Sequence, residues 1–333
     1  MSTHVAVSAE TMRAVGVIEY GGPEVLRLVE VARPNAGPGQ IRVRVHAATV
    51  NPSDTLLRSG ALEEMLRSGP LRPPYIPGME AAGVVDEIGP DTRTDLVIGD
   101  RVMTIVMPID ATGGAYAEYL VVDADQVTHA PVGSTHAEAA TLPMNGLTAR
   151  RALDVLHLAA GETVAVTGAA GAVGGYAVQL AKSDGLRVIA DAAPQDEDLV
   201  AALGADQIVA RGPGVGQRIR QWWPAGVAAA VDTSLQGGDV VAAIRDGGQL
   251  AALRSWDLHD ATDLGADRGV IVRDVFVPEY THAHDKLDGL RQLAEAGEIT
   301  LRVARTYPAD QAAQAHRDLQ AGGLRGRLVL TFD

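Results

Sequence analysis

The chain contains no cysteine. Disulfides, cysteine-based zinc sites and a catalytic thiol are therefore excluded outright. Positive charge is scarce too: 28 Lys and Arg stand against 42 Asp and Glu, a formal net charge of −14. Phosphate backbones are bound by clustered positive charge, so this balance argues against nucleic acid as a partner. It disfavours an anionic membrane surface for the same reason. No run of about 18 apolar residues offers a membrane span. The opening MSTHVAVSAE has neither the basic start nor the apolar core of a signal peptide. We expect a cytoplasmic protein, with neither internal repeats nor low-complexity segments.

What is present is a soluble globular composition, 47% hydrophobic and 21% charged, in a chain of 333 residues that has room for two domains. The most informative stretch runs from Glu162 to Asp191. Val164-Ala-Val166 reads as a strand buried on both faces. Gly168-Ala169-Ala170-Gly171-Ala172-Val173-Gly174 follows at once, and then Val173, Ala177, Leu180 and Ala181 recur at helical spacing up to a stop near Gly185. Val188-Ile-Ala190 completes a β-turn-α-β unit of about 30 residues. Three glycines in such a turn let the backbone bend tightly, approach a pyrophosphate and pack helix on strand. The free N–H groups and dipole at the helix start then favour the phosphates. Because the glycines sit between a strand and a helix, the turn reads as a dinucleotide site rather than an ordinary loop.

The flanks differ in character. From Thr11 to about Pro131 the signals are β-rich, as in Ile41-Arg-Val-Arg-Val45 with its clean alternation. Beyond Ala137, helices and short strands alternate. Helix 197–203, strand 207–209, helix 215–223, strand 227–231, helix 240–245, strand 249–253 and strand 270–277 follow the glycine turn. This succession predicts a doubly wound parallel sheet, an α/β fold. A helix pattern over 281–298, a strand over 300–305 and a final strand over 327–331 lack partners in that sheet. They are expected to fold back on the first domain.

Several motifs occur in one order: Asn51-Pro-Ser-Asp-Thr-Leu-Leu-Arg-Ser-Gly60, Pro77-Gly-Met-Glu80-Ala-Ala-Gly83, Gly99-Asp-Arg-Val102 and Gly114-Ala-Tyr-Ala-Glu118. Leu142-Pro-Met-Asn-Gly-Leu-Thr148, the glycine turn, Leu203-Gly-Ala-Asp206 and Gly326-Arg-Leu-Val-Leu330 continue the series. Together they resemble the medium-chain dehydrogenase/reductase superfamily, and within it the zinc-independent quinone oxidoreductases. The resemblance implies a GroES-like β-rich catalytic domain at 1–134 and 280–333, and a Rossmann dinucleotide-binding domain at 135–279. The active site would be the cleft between them. Zinc-dependent members of the superfamily carry a cysteine and a Gly-His-Glu as metal ligands. Here Asn51 stands at the cysteine position, Met79 replaces the histidine, and Glu80 remains. One carboxylate with an Asn and a Met is not a zinc site. The nine histidines are scattered, and His282 with His284 is too short a cluster to bind metal.

Without a Lewis acid, hydride transfer favours acceptors that are already electrophilic, such as quinones and enones. The resemblance places Asn51 near nicotinamide and substrate and has Thr148 supporting the cofactor. Asn51 also reads as a turn residue before Pro52. Related reductases often carry a tyrosine soon after the Asn-Pro motif. This chain has Leu56 and Leu62 there, and its nearest tyrosine, Tyr75, belongs to another loop, so the proton donor is unassigned and water is a candidate. For the cofactor, Asp191 lies near the position that holds ribose hydroxyls in NAD enzymes, although the family spacing puts that position on Ala192. Arg211 follows the third strand, where NADPH enzymes contact the 2′-phosphate; it reads equally as a solvated surface charge. The balance leans to NADPH, with NADH the alternative. As partners we expect a small-molecule quinone or enone and a second copy in a homodimer. An enoyl reductase, an alcohol dehydrogenase and a non-catalytic crystallin-like NAD(P)-binding protein are the rival readings.

Overall fold

The computed structural model describes residues 10–62, 73–110, 113–254 and 265–332; the opening segment 1–9 lies outside them. The chain forms two units, Met1–Pro143 with Val303–Asp333, and Met144–Arg302.

The first unit is a sheet structure. It holds β1 (Thr11–Gly16), β2 (Arg27–Ala32), β3 (Gln40–Thr49), β4 (Glu80–Ile88), β5 (Arg101–Ile105), β6 (Tyr119–Asp123) and β7 (Val127–His129). From the second unit come β8 (Thr163–Thr167), β9 (Arg187–Ala192), β10 (Gln207–Ala210), β11 (Val227–Asp232), β12 (Ile244–Leu253) and β13 (Ile271–Val275), and the chain returns to the first with β14 (Val303–Pro308) and β15 (Arg327–Thr331). In the first unit β1 pairs with β2, and a seven-stranded sheet runs β14-β15-β3-β4-β5-β7 with β6 also on β3. The expectation that the last strands fold back on the first domain is thus met by β15 pairing antiparallel with β3. Ile41, Val43, Val45, Val102, Leu120, Leu328 and Leu330 fill its core.

The second unit is a six-stranded parallel sheet in the order β10-β9-β8-β11-β12-β13. β8 and β11 at its centre are buried at every residue, as strands covered on both faces must be. The reversal of strand order falls between β8 and β11, and ligands of such sheets bind outside the carboxyl ends there.

Three boundaries differ from the sequence reading. Residues 135–143 go with the first unit, because helix His136–Ala139 packs on β3 and β4 and His136 stacks on His46 at 4.6 Å. Residues 280–302 go with the second, because Gln179 exchanges two hydrogen bonds with Thr300 and Ser183 donates to Glu298. That pairing also delays the next strand to Val303. The helix expected over 240–245 is only Gly238–Val241; β12 starts early at Ile244 and absorbs Gly247-Gly248, where the register against β11 shifts. No helix among the described residues is long and apolar enough to cross a membrane.

Candidate active site

In the second unit the glycine turn joins β8 to the helix Ala172–Ser183. Gly168 sits at φ +70°, and a Cβ there would lie 2.6 Å from Thr233 Oγ1. A Cβ on Gly174 would lie 2.2 Å from the Gly168 carbonyl oxygen, which is backbone and cannot move aside. The turn therefore tolerates no side chain at either position. Its Gly171 N–H donates to the Gly168 carbonyl at 2.9 Å, and the first intrahelical bond is Gly175 N–H to Gly171 at 3.0 Å. The N–H groups of Ala172, Val173 and Gly174 thus have no intrahelical partner, the arrangement that receives phosphate oxygens. A dinucleotide fits this cradle.

Asp191 and Arg211 are brought to the same end of the sheet. Asp191 pairs in register with Val209, and Arg211 N–H donates to the Ala192 carbonyl at 2.9 Å. Asp191, however, is almost fully buried. Its Oδ1 accepts from the N–H groups of Gly168 at 2.6 Å and Ala169 at 3.3 Å. Burial pushes its carboxyl above the usual range, against the opposing pull of those two amides and the Arg211 charge. The carboxylate braces the turn. Arg211 is exposed. Thr148 lies inside the helix Pro143–Asp154 and donates to the Met144 carbonyl at 2.6 Å. Its oxygen keeps only acceptor capacity. The sequence reading missed Asp232, fully buried at the end of β11, which accepts from Thr167 Oγ1 at 2.7 Å and from Gly237 N–H at 2.8 Å across the point where strand order reverses.

In the first unit Asn51 starts the helix Pro52–Ser59. Pro52 occupies the first helical position, where its missing N–H costs nothing, and Asp54 reaches back to the Asn51 N–H at 2.8 Å. Asn51 is buried, and its Oδ1 accepts from Arg327 Nη2 at 2.7 Å. Because arginine only donates, that contact fixes which end of the amide is oxygen. Nδ2 faces Thr49 and Glu80 at 3.4–3.5 Å, longer than ordinary N–H···O bonds. Arg327 Nη2 also donates to Glu80 Oε1 at 2.6 Å and to Thr49 Oγ1, and Thr49 Oγ1 donates to Glu80. In the sequence Arg327 stands only as part of a motif; a charge opening the apolar run Leu328-Val-Leu330 is the signal it offers.

Behind this group lies a second buried chain. Asp54 accepts from Gly78 N–H at 2.9 Å and from Tyr116 Oη at 3.0 Å, and Tyr116 Oη lies 3.3 Å from His316 Nε2. Burial raises the Asp54 carboxyl to about 6, and the Tyr116 phenol above its usual value. Burial, with the Arg58 charge, lowers the His316 imidazole to about 3. Tyr75 is engaged elsewhere, stacked on Tyr20 at 4.8 Å.

A catalytic zinc does not fit these donors. Glu80, the one surviving carboxylate of the metal positions, is neutralised by Arg327, and the Met79 sulfur accepts from Ser53 Oγ at 2.7 Å.

A GroES-like sheet unit and a dinucleotide-binding parallel sheet in one chain define an oxidoreductase of the medium-chain dehydrogenase/reductase class, using NAD(P)H. Residues 37–132 match the alcohol dehydrogenase GroES-like domain, and residues 203–330 match a family described as zinc-binding dehydrogenase. Mouse quinone oxidoreductase is 30% identical over 349 residues, covering 98% of this chain and 99% of its own. The solved quinone oxidoreductase of Coxiella burnetii superposes with a TM-score of 0.84 at 26% identity, covering 97% of this chain and all of that one. A probable oxidoreductase from Mycobacterium abscessus gives 0.80 at 30% identity, over 98% and 100%. The chain belongs to the quinone oxidoreductase family of this superfamily.

Proposed function

We propose that the protein catalyses metal-independent, NADPH-dependent reduction of quinones or other α,β-unsaturated carbonyls. The observation that carries the proposal is the buried Arg327–Glu80 pair: the one carboxylate left at the family's metal positions already has the chain's own cation as its counter-ion. When bound, NADPH supplies a hydride. The turn from Gly168 to Gly174 binds the pyrophosphate through backbone N–H groups and admits no side chain that would hold it off. With Asp191 engaged by the turn and Ala192 in the ribose-reading position, exposed Arg211 supplies the countercharge for a 2′-phosphate. Thr148 accepts from a cofactor hydroxyl.

Asn51 donates from Nδ2 to the carbonyl oxygen on which negative charge collects, giving up its long contacts to Thr49 and Glu80 to do so. Arg327 holds the amide in this orientation by occupying Oδ1. The final proton comes from water. We further propose a cytoplasmic homodimer, which light scattering in solution checks. Steady-state rates with NADPH and NADH against quinones, enones and alcohols, together with zinc analysis, test the whole reading. Turnover of alcohols with stoichiometric zinc and none of enones would sink it.

A further inference from the structure

The glycine run does not end at Gly174: Gly175 follows, and the pyrophosphate reading gives it no task. Its space is claimed from outside the turn. A Cβ on Gly175 would lie 2.1 Å from Nη2 and 3.0 Å from Cζ of Arg302. That guanidinium forks across two consecutive peptides of the turn, Nη1 donating to the Ala170 carbonyl at 3.1 Å and Nη2 to the Gly171 carbonyl at 2.5 Å. The reach of Arg302 is set by the segment before it. Glu298 and Thr300 are bonded along the helix Ala172–Ser183 through Ser183 and Gln179, and Ile299 is buried.

We infer that Arg302 is a positioning residue for the cofactor, with Gly175 as the gap that admits it. A trans peptide points its N–H opposite its C=O. Holding the Gly171 carbonyl therefore aims the Ala172 N–H away from the guanidinium, toward the open end of the helix. Holding the Ala170 carbonyl fixes the Gly171 N–H on Gly168, the bond that closes the turn. Arginine suits this because its planar fork meets two acceptors at once, whereas a lysine meets one as a point charge. The effect is to order the phosphate-binding amides before the nucleotide arrives, so that binding does not have to order them. Arg302 acts on the pyrophosphate half common to both nicotinamide cofactors, so it sets affinity and not the choice between NADPH and NADH.

The inference rests on the proposed cofactor use, and the test separates the two. Dissociation constants of NADPH and NADH are measured by nucleotide fluorescence for wild type, Arg302→Ala, Arg302→Lys, Gly175→Ala and the Gly175→Ala/Arg302→Ala double variant. The unfolding midpoint of each cofactor-free protein is recorded alongside. Arg302→Ala is expected to weaken both cofactors by roughly tenfold or more and by the same factor, with kcat at saturating cofactor within about twofold. Arg302→Lys falls between. Gly175→Ala, which leaves the charge in the chain but displaces it, weakens binding similarly, and the double variant binds no worse than Arg302→Ala because the clash has lost its object. Unchanged affinity in Arg302→Ala, additive losses in the double variant, or a changed NADPH:NADH ratio overturns the inference alone. Wild-type protein that binds neither nucleotide overturns the functional reading and this inference with it.

Discussion

Replacing Arg327 by methionine keeps an unbranched apolar stem of four atoms and deletes the guanidinium with its charge. The Arg327 side chain is 6% exposed and that of Glu80 not at all, so water cannot take over the lost contacts without opening the sheet. The nitrogen removed serves Glu80, Asn51 and Thr49 together. Unit charges about 4 Å apart attract by about 4 kcal/mol at an effective dielectric constant near 20. The orphaned carboxylate loses that attraction and still bears its desolvation cost, and single-partner deletions of buried pairs cost about 3–5 kcal/mol. Glu80→Gln/Arg327→Met buries no ion and is expected to recover most of the loss. Hydrogen exchange in a denaturant series, read on the amides of β3, β4 and β15, measures both. Trp222 and Trp223 lie in the other unit and report on it instead. A loss under about 1 kcal/mol in the single variant, the scale of a solvent-screened pair, refutes the reasoning. So does a double variant less stable than the single one.

Asp54 makes a pH-dependent contribution of defined sign. Its folded-state value of about 6 exceeds the ordinary 3.8, so the stability it confers is complete below pH 4 and is lost as pH rises to about 6. Wild type is expected to lose roughly 3 kcal/mol relative to Asp54→Asn across that window, and unfolding curves of the two proteins that stay parallel from pH 4 to 7 would rule this out. Asn51→Ala is expected to lower kcat by roughly ten- to a thousandfold with cofactor affinity retained; kinetics with several acceptors check it, and unchanged kcat removes Asn51 from the reaction. Arg211→Ala is expected to cut kcat/KM for NADPH more than for NADH, and an unmoved ratio assigns Arg211 to the solvated surface.

The nucleotide unit was legible because its signal is local. Strand, glycine turn, helix and strand follow one another within about 30 residues, and Gly171 and Gly174 both answer to the Gly168 carbonyl a few positions away. The carboxylate of Asp191 was legible as chemistry but not as geometry, since nothing in the sequence says that Gly168 and Ala169 would take it. The Arg302 fork was invisible for a plainer reason: it joins positions 132 and 131 apart, brought together by the pairing of Gln179 with Thr300. Asn51 and Glu80 were both visible as occupants of metal positions. What fills the space between them comes from β15, and only the sheet order β15-β3-β4 delivers it.

That delivery has a timetable. Glu80 and Arg327 are 247 positions apart, which at ribosomal rates of about 5–20 residues per second is roughly 10–50 s of synthesis. Throughout that interval β3 and β4 exist while their counter-ion does not, and a carboxylate without one resists being sealed into an apolar sheet. The whole of the stretch Met144–Arg302 is meanwhile made without interruption, with every strand of its sheet already in hand. The nascent chain is therefore able to assemble its nucleotide sheet first, whereas the unit that begins earlier on the message must stay unfinished until its last strand leaves the ribosome.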